Sequence, residues 1–171
     1  MEIAYLCRMR GIEVVRLTDA HASDVGIRVR RVKGSNDNVV RWTPRVRAAW
    51  DSAVSVRASI LGRESNRSRP IPIRPQDRYL FITQSGTPLS KAGLDNAFQD
   101  LMRAAIEAGV ITEQDRFNLH GLKHRGITDT AGDKGTKRTA SGHKTDSALE
   151  EYDHEVPTVE PANAPDIAFG N

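Results

Sequence analysis

One stretch of this chain joins strand alternation to turn chemistry, and it limits the β content the fold can have. From Gly26 to Lys33, Ile27, Val29 and Val32 alternate in part with Arg28, Arg30 and Arg31. Gly34-Ser35-Asn36-Asp37-Asn38 then supplies turn residues, and Val39-Val40-Arg41-Trp42 follows. Alternation on both sides of a Gly/Asn/Asp cluster reads as a β-hairpin, here with Lys33 at its tip. Most of the remaining periodic apolar residues recur at intervals of three and four, the helical spacing. The predicted fold class is therefore α+β and mainly α: a helical bundle carrying a small antiparallel hairpin or sheet.

The helical pattern divides the chain as follows. Ile3, Leu6, Met9/Arg10, Glu13/Val14 and Leu17 predict a helix from about residue 3 to 17. Pro44 opens a second one through Val46, Trp50 and Val54 to about Ile60, proline being favoured in a first helical turn. Gly62 to Asp77 carries Pro70, Pro72, Pro75 and several Arg, which predicts an exposed loop. Tyr79 to Ile82 reads as a short apolar strand closed by the turn Ser85-Gly86-Thr87-Pro88. Ser90 caps a helix to about Ala108, with Leu94, Phe98, Leu101/Met102 and Ala105 on its apolar face and Gly109 at its end. A further helix runs from Asn118 or Leu119 to about Thr130, and Gly132-Asp133-Lys134-Gly135 breaks it. Short helices around Thr136–Ser141 and Asp146–Tyr152 complete the folded part.

The folded domain is thus expected over residues 1–154. The segment 155–171, with Pro157, Pro161 and Pro165 and little apolar content, reads as an extended or disordered tail. No internal repeat is present. The start has no basic-then-apolar signal character, and no apolar run approaches the roughly 20 residues of a membrane span, so a cytoplasmic protein is expected. Cys7 is the only cysteine, which excludes an internal disulfide and a zinc site built mainly from Cys.

Charge narrows the partner. The net charge is +3, but the residues after Tyr152 include Asp153, Glu155, Glu160 and Asp166 and no Lys or Arg. Without those four acids the chain carries 25 basic and 18 acidic residues, a net of +7. A basic body suits a polyanionic partner through phosphate neutralisation.

Four features carry candidate chemistry: Arg10-Gly11-Ile12-Glu13; Lys33; the run His120-Gly121-Leu122-Lys123-His124-Arg125; and Gly142-His143 with Tyr152 downstream. Each has an ordinary reading. Arg10 and Glu13 at helical spacing form surface ion pairs in many helices. A hairpin-tip Lys is commonly just solvated. His120 and His124 at i and i+4 suit a metal pair, but no carboxylate lies at a suitable spacing to complete a hydrolase site. His143 after a glycine can be a cap residue, and Tyr152 can close a core.

Taken in order, these features resemble the catalytic domain of tyrosine recombinases, the phage-integrase family. That family has an Arg-x-x-Glu element followed by Leu and a polar turn; here Leu17-Thr18-Asp19 follows Glu13. It has a hairpin Lys, here in Val32-Lys33-Gly34, then a Leu-Phe strand and a Gly-x-Pro-Leu-Ser turn, here Leu80-Phe81 and Gly86-Thr87-Pro88-Leu89-Ser90. A His-x-Leu-Arg-His box comes next, then a Gly-His pair, with the nucleophilic Tyr one short helix downstream. The resemblance covers about residues 3 to 154, and no single motif in it is specific alone.

The resemblance implies a site-specific recombinase or integrase domain that cuts and rejoins double-stranded DNA through a 3′-phosphotyrosine at Tyr152. It implies that Arg10 and Lys123 hold the non-bridging phosphate oxygens and that His143 bonds one of them. His120 would accept or orient the phenolic proton, and Lys33 would protonate the leaving 5′ oxygen. Glu13 would orient Arg10 or His120. No metal or other cofactor is required. Arg28, Arg30, Arg31, Arg41, Lys91 and Arg125 are candidate DNA contacts, each with the reading of a solvated surface charge beside it. A homo-oligomer, a tetramer on two duplexes, is implied by the family.

Two departures stand out. Lys123 occupies the position of the box's Arg, and a Lys is a point charge where Arg is a bidentate fork. Family members also carry more helix upstream and a separate core-binding domain. The expectation is therefore an excised domain, a truncated gene or a prophage remnant. The alternative function is a catalytically impaired prophage-remnant DNA-binding domain; a metal hydrolase on His120, His124 and His143 and a type IB topoisomerase rank below it.

Overall fold

A computed structural model describes residues 1–32 and 35–152. Lys33, Gly34 and the tail lie outside the described residues, and with them the readings made on Lys33 and on 155–171. The helices are α1 Glu2–Leu6, α2 Gly11–Val14, α3 Pro44–Leu61, α4 Lys91–Glu107, α5 Leu119–Thr128, α6 Lys134–Ser141 and α7 Asp146–Glu150. Strands β1 Gly26–Val29 and β2 Asn38–Arg41 pair antiparallel, with Ile27 opposite Val40. The fold class is the expected one: mainly helical, with one small two-stranded sheet. Among the described residues no helix is long and apolar enough to cross a membrane.

The expected 3–17 helix is two short helices. Arg8 adopts φ +51°, the left-handed region, and breaks the run after Cys7. The residues at 3, 9, 14 and 17 are buried all the same, because both short helices face one core. Arg10 therefore caps α2 from outside it, with extended φ/ψ. The expected strand at 79–82 is reduced to two isolated bridges, Thr18 to Tyr79 and Ile82 to Pro88. With one bridge on each side of Leu80, no ladder extends beyond a single pair.

Local chemistry accounts for the other ends. Thr43, Ser90, Asn118, Asp133 and Thr145 each accept a backbone N–H of the following first turn, capping α3 to α7 in order. Asp133 thus starts α6 within the stretch expected to be a breaker. The core joins Ile3, Met9, Leu17, Ile27, Trp50, Leu80 and Phe98 from α1 through α4 and the hairpin. α1 lies close on α5: a Cβ on Gly126 would stand 2.3 Å from the Tyr5 carbonyl oxygen, so only glycine allows this approach. Tyr5 Oη also donates to Asp129 at 2.7 Å. The contact fixes the end of α1, and the α2 that follows, against the helix that carries the His120 box.

Candidate active site

Glu13 is the centre of the polar cluster. Its side chain is fully buried, as is that of Arg31. It accepts the Arg10 N–H at 2.8 Å, Arg10 Nη1 at 3.2 Å, Arg31 Nη1 at 3.3 Å and the Val32 N–H at 3.2 Å. Glu13 therefore orients Arg10 and Arg31.

Arg31 requires a correction. The sequence placed it among candidate DNA contacts, but its guanidinium is inside the protein. It donates to the carbonyls of Arg8, Cys7 and Ala140 and to Asn38 Oδ1. These bonds tie the end of α1, the hairpin and the end of α6 around Glu13. Burial lowers its pKa, and Glu13 opposes the shift. A buried guanidinium keeps its charge by satisfying its donors; Arg31 Nε alone stays without a partner among the described residues.

The two other ends of the chain's chemistry arrive from α5 and from the turn after α6. Lys123, on α5, is entirely buried. Its Nζ has no hydrogen-bond partner among the described residues. Burial first, then Arg10, lowers its pKa to about 7. His143 is delivered by Gly142, which ends α6 at φ +77°. A Cβ there would stand 2.4 Å from the Asn36 carbonyl oxygen, so the glycine of the Gly-His pair is a steric requirement. His143 Nδ1 lies 2.9 Å from Ser141 Oγ. Ser141 Oγ donates its one proton to the Arg138 carbonyl at 3.1 Å, so Nδ1 carries the ring proton here and Nε2 the lone pair. That Nε2 is buried and, among the described residues, unpartnered. Burial, then Lys123 and the arginines, lowers the His143 pKa to about 4, so the ring is neutral at pH 7.

Tyr152 follows α7, its N–H bonded to the Leu149 carbonyl. Its ring stacks on His124 at 4.4 Å between centroids and lies 4.7 Å from His143. The His120 ring meets it edge-on at 5.5 Å. Lys123 Nζ is 5.0 Å from its centre. A cavity of about 650 Å³ opens beside it, lined by Arg10, Lys91, His120 and Tyr152 among others. Among the described residues, no group of three His, Cys, Asp or Glu could hold a metal ion, although three His rings surround the tyrosine.

The structure therefore brings together Arg10, Glu13, His120, Lys123, His143 and Tyr152 from α2, α5 and the turns after α6 and α7. Lys91 joins them at the cavity wall, in an ion pair with Asp95. Arg30 and Arg41 are exposed on the hairpin. Arg125 is exposed and pairs with Asp129 at 2.8 Å. Two residues of the site carry no recombinase role from sequence. His124 stands there as part of the box and as a metal-pair candidate with His120, though its place beside Lys123 is a signal. Ser141 has a weaker one, its position two residues before His143.

No family model matches the chain, and no curated protein does. Solved structures do. The chain is similar to XerA recombinase, with a TM-score of 0.68 and 19% identity over 91% of this chain and 52% of that one. It is similar to the Tn1549 transposon integrase in complex with circular intermediate DNA, with a TM-score of 0.65 and 16% identity over 91% of this chain and 52% of that one. The same integrase in complex with transposon right end DNA gives 0.64 and 16%, over 90% and 53%. The chain spans about half the length of these structures. Its fold is that of the catalytic domain of tyrosine recombinases.

Proposed function

We propose that this chain is a DNA strand-breaking and rejoining domain of the recombinase or integrase kind, acting through a 3′-phosphotyrosine at Tyr152. One observation carries the reading: nitrogens of Lys123 and His143 that are buried and, among the described residues, unpartnered lie at the Tyr152 ring, beside Arg10, Arg31 and the Glu13 carboxylate. Buried polar groups are nearly always satisfied, so groups left open at one place call for a guest. Two guanidiniums against the one Glu that they share among the described residues make that guest an anion. A phosphodiester beside a phenol supplies it.

The roles follow from charge and reach. Arg10 and Lys123 hold the non-bridging oxygens and stabilise the charge that grows in the pentavalent transition state. His143 bonds one of those oxygens once its proton sits on Nε2, the tautomer in which Ser141 turns its hydroxyl from the Arg138 carbonyl to Nδ1. A free phenol has a pKa of about 10 and attacks poorly, so its proton must be taken or directed, a task for which His120 is one candidate. Lys33 is the candidate acid for the leaving 5′ oxygen. The phosphotyrosine keeps the energy of the diester, so a partner strand's 5′-hydroxyl reverses the attack without a nucleotide. Arg30, Arg41, Lys91 and Arg125 are candidate contacts to the backbone of duplex DNA, and a tetramer on two duplexes is the expected working assembly.

The test uses a pool of nicked duplexes with a randomised central sequence, which trap a covalent adduct whatever target sequence the domain prefers. The expected result is an adduct on a denaturing gel that disappears in Tyr152→Phe. Duplex binding with no Tyr152-dependent adduct would favour the reading as an impaired DNA-binding remnant.

A further inference from the structure

We propose that Lys123 is the base that takes the Tyr152 phenolic proton, standing as a neutral amine before substrate binds. The inference rests on the strand-cleavage reading above. Lys123 is fully buried, and a charged ammonium there would have three donors and no acceptor among the described residues. Arg10, at the N-cap of α2, and Arg31, after β1, add positive charge to its surroundings. Among the described residues the carboxylate acting on it is Glu13, which already accepts four hydrogen bonds from Arg10, Arg31 and Val32. A buried, unpaired cation beside two others sheds its proton. The direction of its shift, down to about 7, agrees.

The other titratable groups around it suit the task less. His143 has its pKa lowered to about 4, which makes it a weak base. Cys7, at the end of α1, is pushed up to about 11 and stays a thiol. Arg8 beside it is a cation. His120 is exposed and meets the tyrosine ring edge-on at 74°. His124 lies stacked against the ring at 27°, with its face toward the tyrosine. Lys123 lies beneath the same ring, sealed from solvent.

The step balances within the site. An arriving phosphodiester adds the anion that the pocket lacks and raises the basicity of the amine. As Tyr152 Oη bonds to phosphorus, its proton passes to Lys123 Nζ, and the bond from phosphorus to the 5′ oxygen breaks. The 5′ oxygen leaves with the electron pair and takes a proton from solvent water. Lys123 ends as an ammonium beside the phosphate, where it is paired. Rejoining returns the same proton to the phenolic oxygen.

Two measurements on the full chain decide the matter. In protein labelled at lysine Cε, the Lys123 resonance is assigned by its loss in Lys123→Met. It should titrate near about 7 and rise by about one unit or more with saturating thymidylyl-thymidine, a phosphodiester that does not itself titrate from pH 5 to 9. An ordinary midpoint near about 10.4, or one that the dinucleotide leaves in place, overturns the proposal. In the nicked-duplex assay, Lys123→Arg keeps the charge but offers no lone pair. Its adduct should form about a hundredfold more slowly and lose the rise in rate between about pH 7 and 9 that the raised midpoint in the complex produces. A Tyr152-dependent adduct formed by Lys123→Arg at the wild-type rate, with the wild-type pH profile, refutes the base alone. Absence of any Tyr152-dependent adduct from the wild-type chain sinks the strand-cleavage reading, and the base with it.

Discussion

Replacing Lys123 by Met should stabilise the free protein at neutral pH, and the gain should vanish at alkaline pH. Met keeps most of the length and removes the charge. An exposed lysine titrates near 10.5, and Lys123 is held near about 7. At about 1.4 kcal/mol per pKa unit, that difference opposes folding by on the order of 4 kcal/mol at pH 7. The side chain is fully buried, so water does not screen the effect, but local relaxation reduces it to about 2–4 kcal/mol. Between the folded and unfolded pKa values the unfolded chain binds more protons, so wild-type stability rises with pH from about 7 to 10.5. By pH 10 the penalty falls to about 1 kcal/mol. Urea unfolding of both proteins at pH 7 and at pH 10 measures this. Lys123→Met should be the more stable at pH 7, with its advantage shrinking by about 2–3 kcal/mol at pH 10. A variant less stable than wild type at pH 7, or a difference that does not change with pH, would show that the lysine has a hydrogen-bonded, charged home and would refute the reasoning.

Two other perturbations test the same cluster. Glu13→Ala leaves the buried Arg31 without its carboxylate and should cost about 3–5 kcal/mol in urea unfolding; a loss under about 1 kcal/mol would mean that the arginine is held by its carbonyl partners alone. His143 is neutral when folded, with its pKa lowered to about 4 from 6.5. The unfolded chain therefore takes the proton first, and stability falls as the pH drops from about 6.5 to 4. The urea midpoint of the wild type should drop faster over that range than that of His143→Asn, and equal slopes would count against the burial argument.

The parts of the fold legible in the sequence are those whose signals are local. Pro44, Ser90 and Asn118 mark helix starts through caps that need only the next turn, and the structure has those helices where expected. The break at Arg8 was not legible, because a left-handed non-glycine residue is selected by tertiary contacts: its guanidinium reaches Thr130, just past the end of α5, at 2.6 Å. The strand expected at 79–82 failed for a similar reason. Its apolar residues are there, but a strand needs a partner ladder, and only single bridges form.

The site was legible as an ordered set of residues and less so as a physical arrangement. Arg31 is the instructive case. It stands between Arg30 and Val32 in a basic stretch and was grouped with the exposed arginines for its charge. Period two said otherwise: Ile27 and Val29 are fully buried, and Arg31 is two residues further on, in the same inward phase, although β1 ends at Val29. Composition argues for a solvated cation and register argues for a buried one. Register prevails because a carboxylate, Glu13, and three backbone carbonyls wait at the place to which it points. Lys123 has no such reception among the described residues, and on the proposed reading that difference separates a structural charge from a reactive one. Arg31 is held by partners within the protein. Lys123 is complete only when an anion arrives, so its environment makes sense as part of a site waiting for a phosphate.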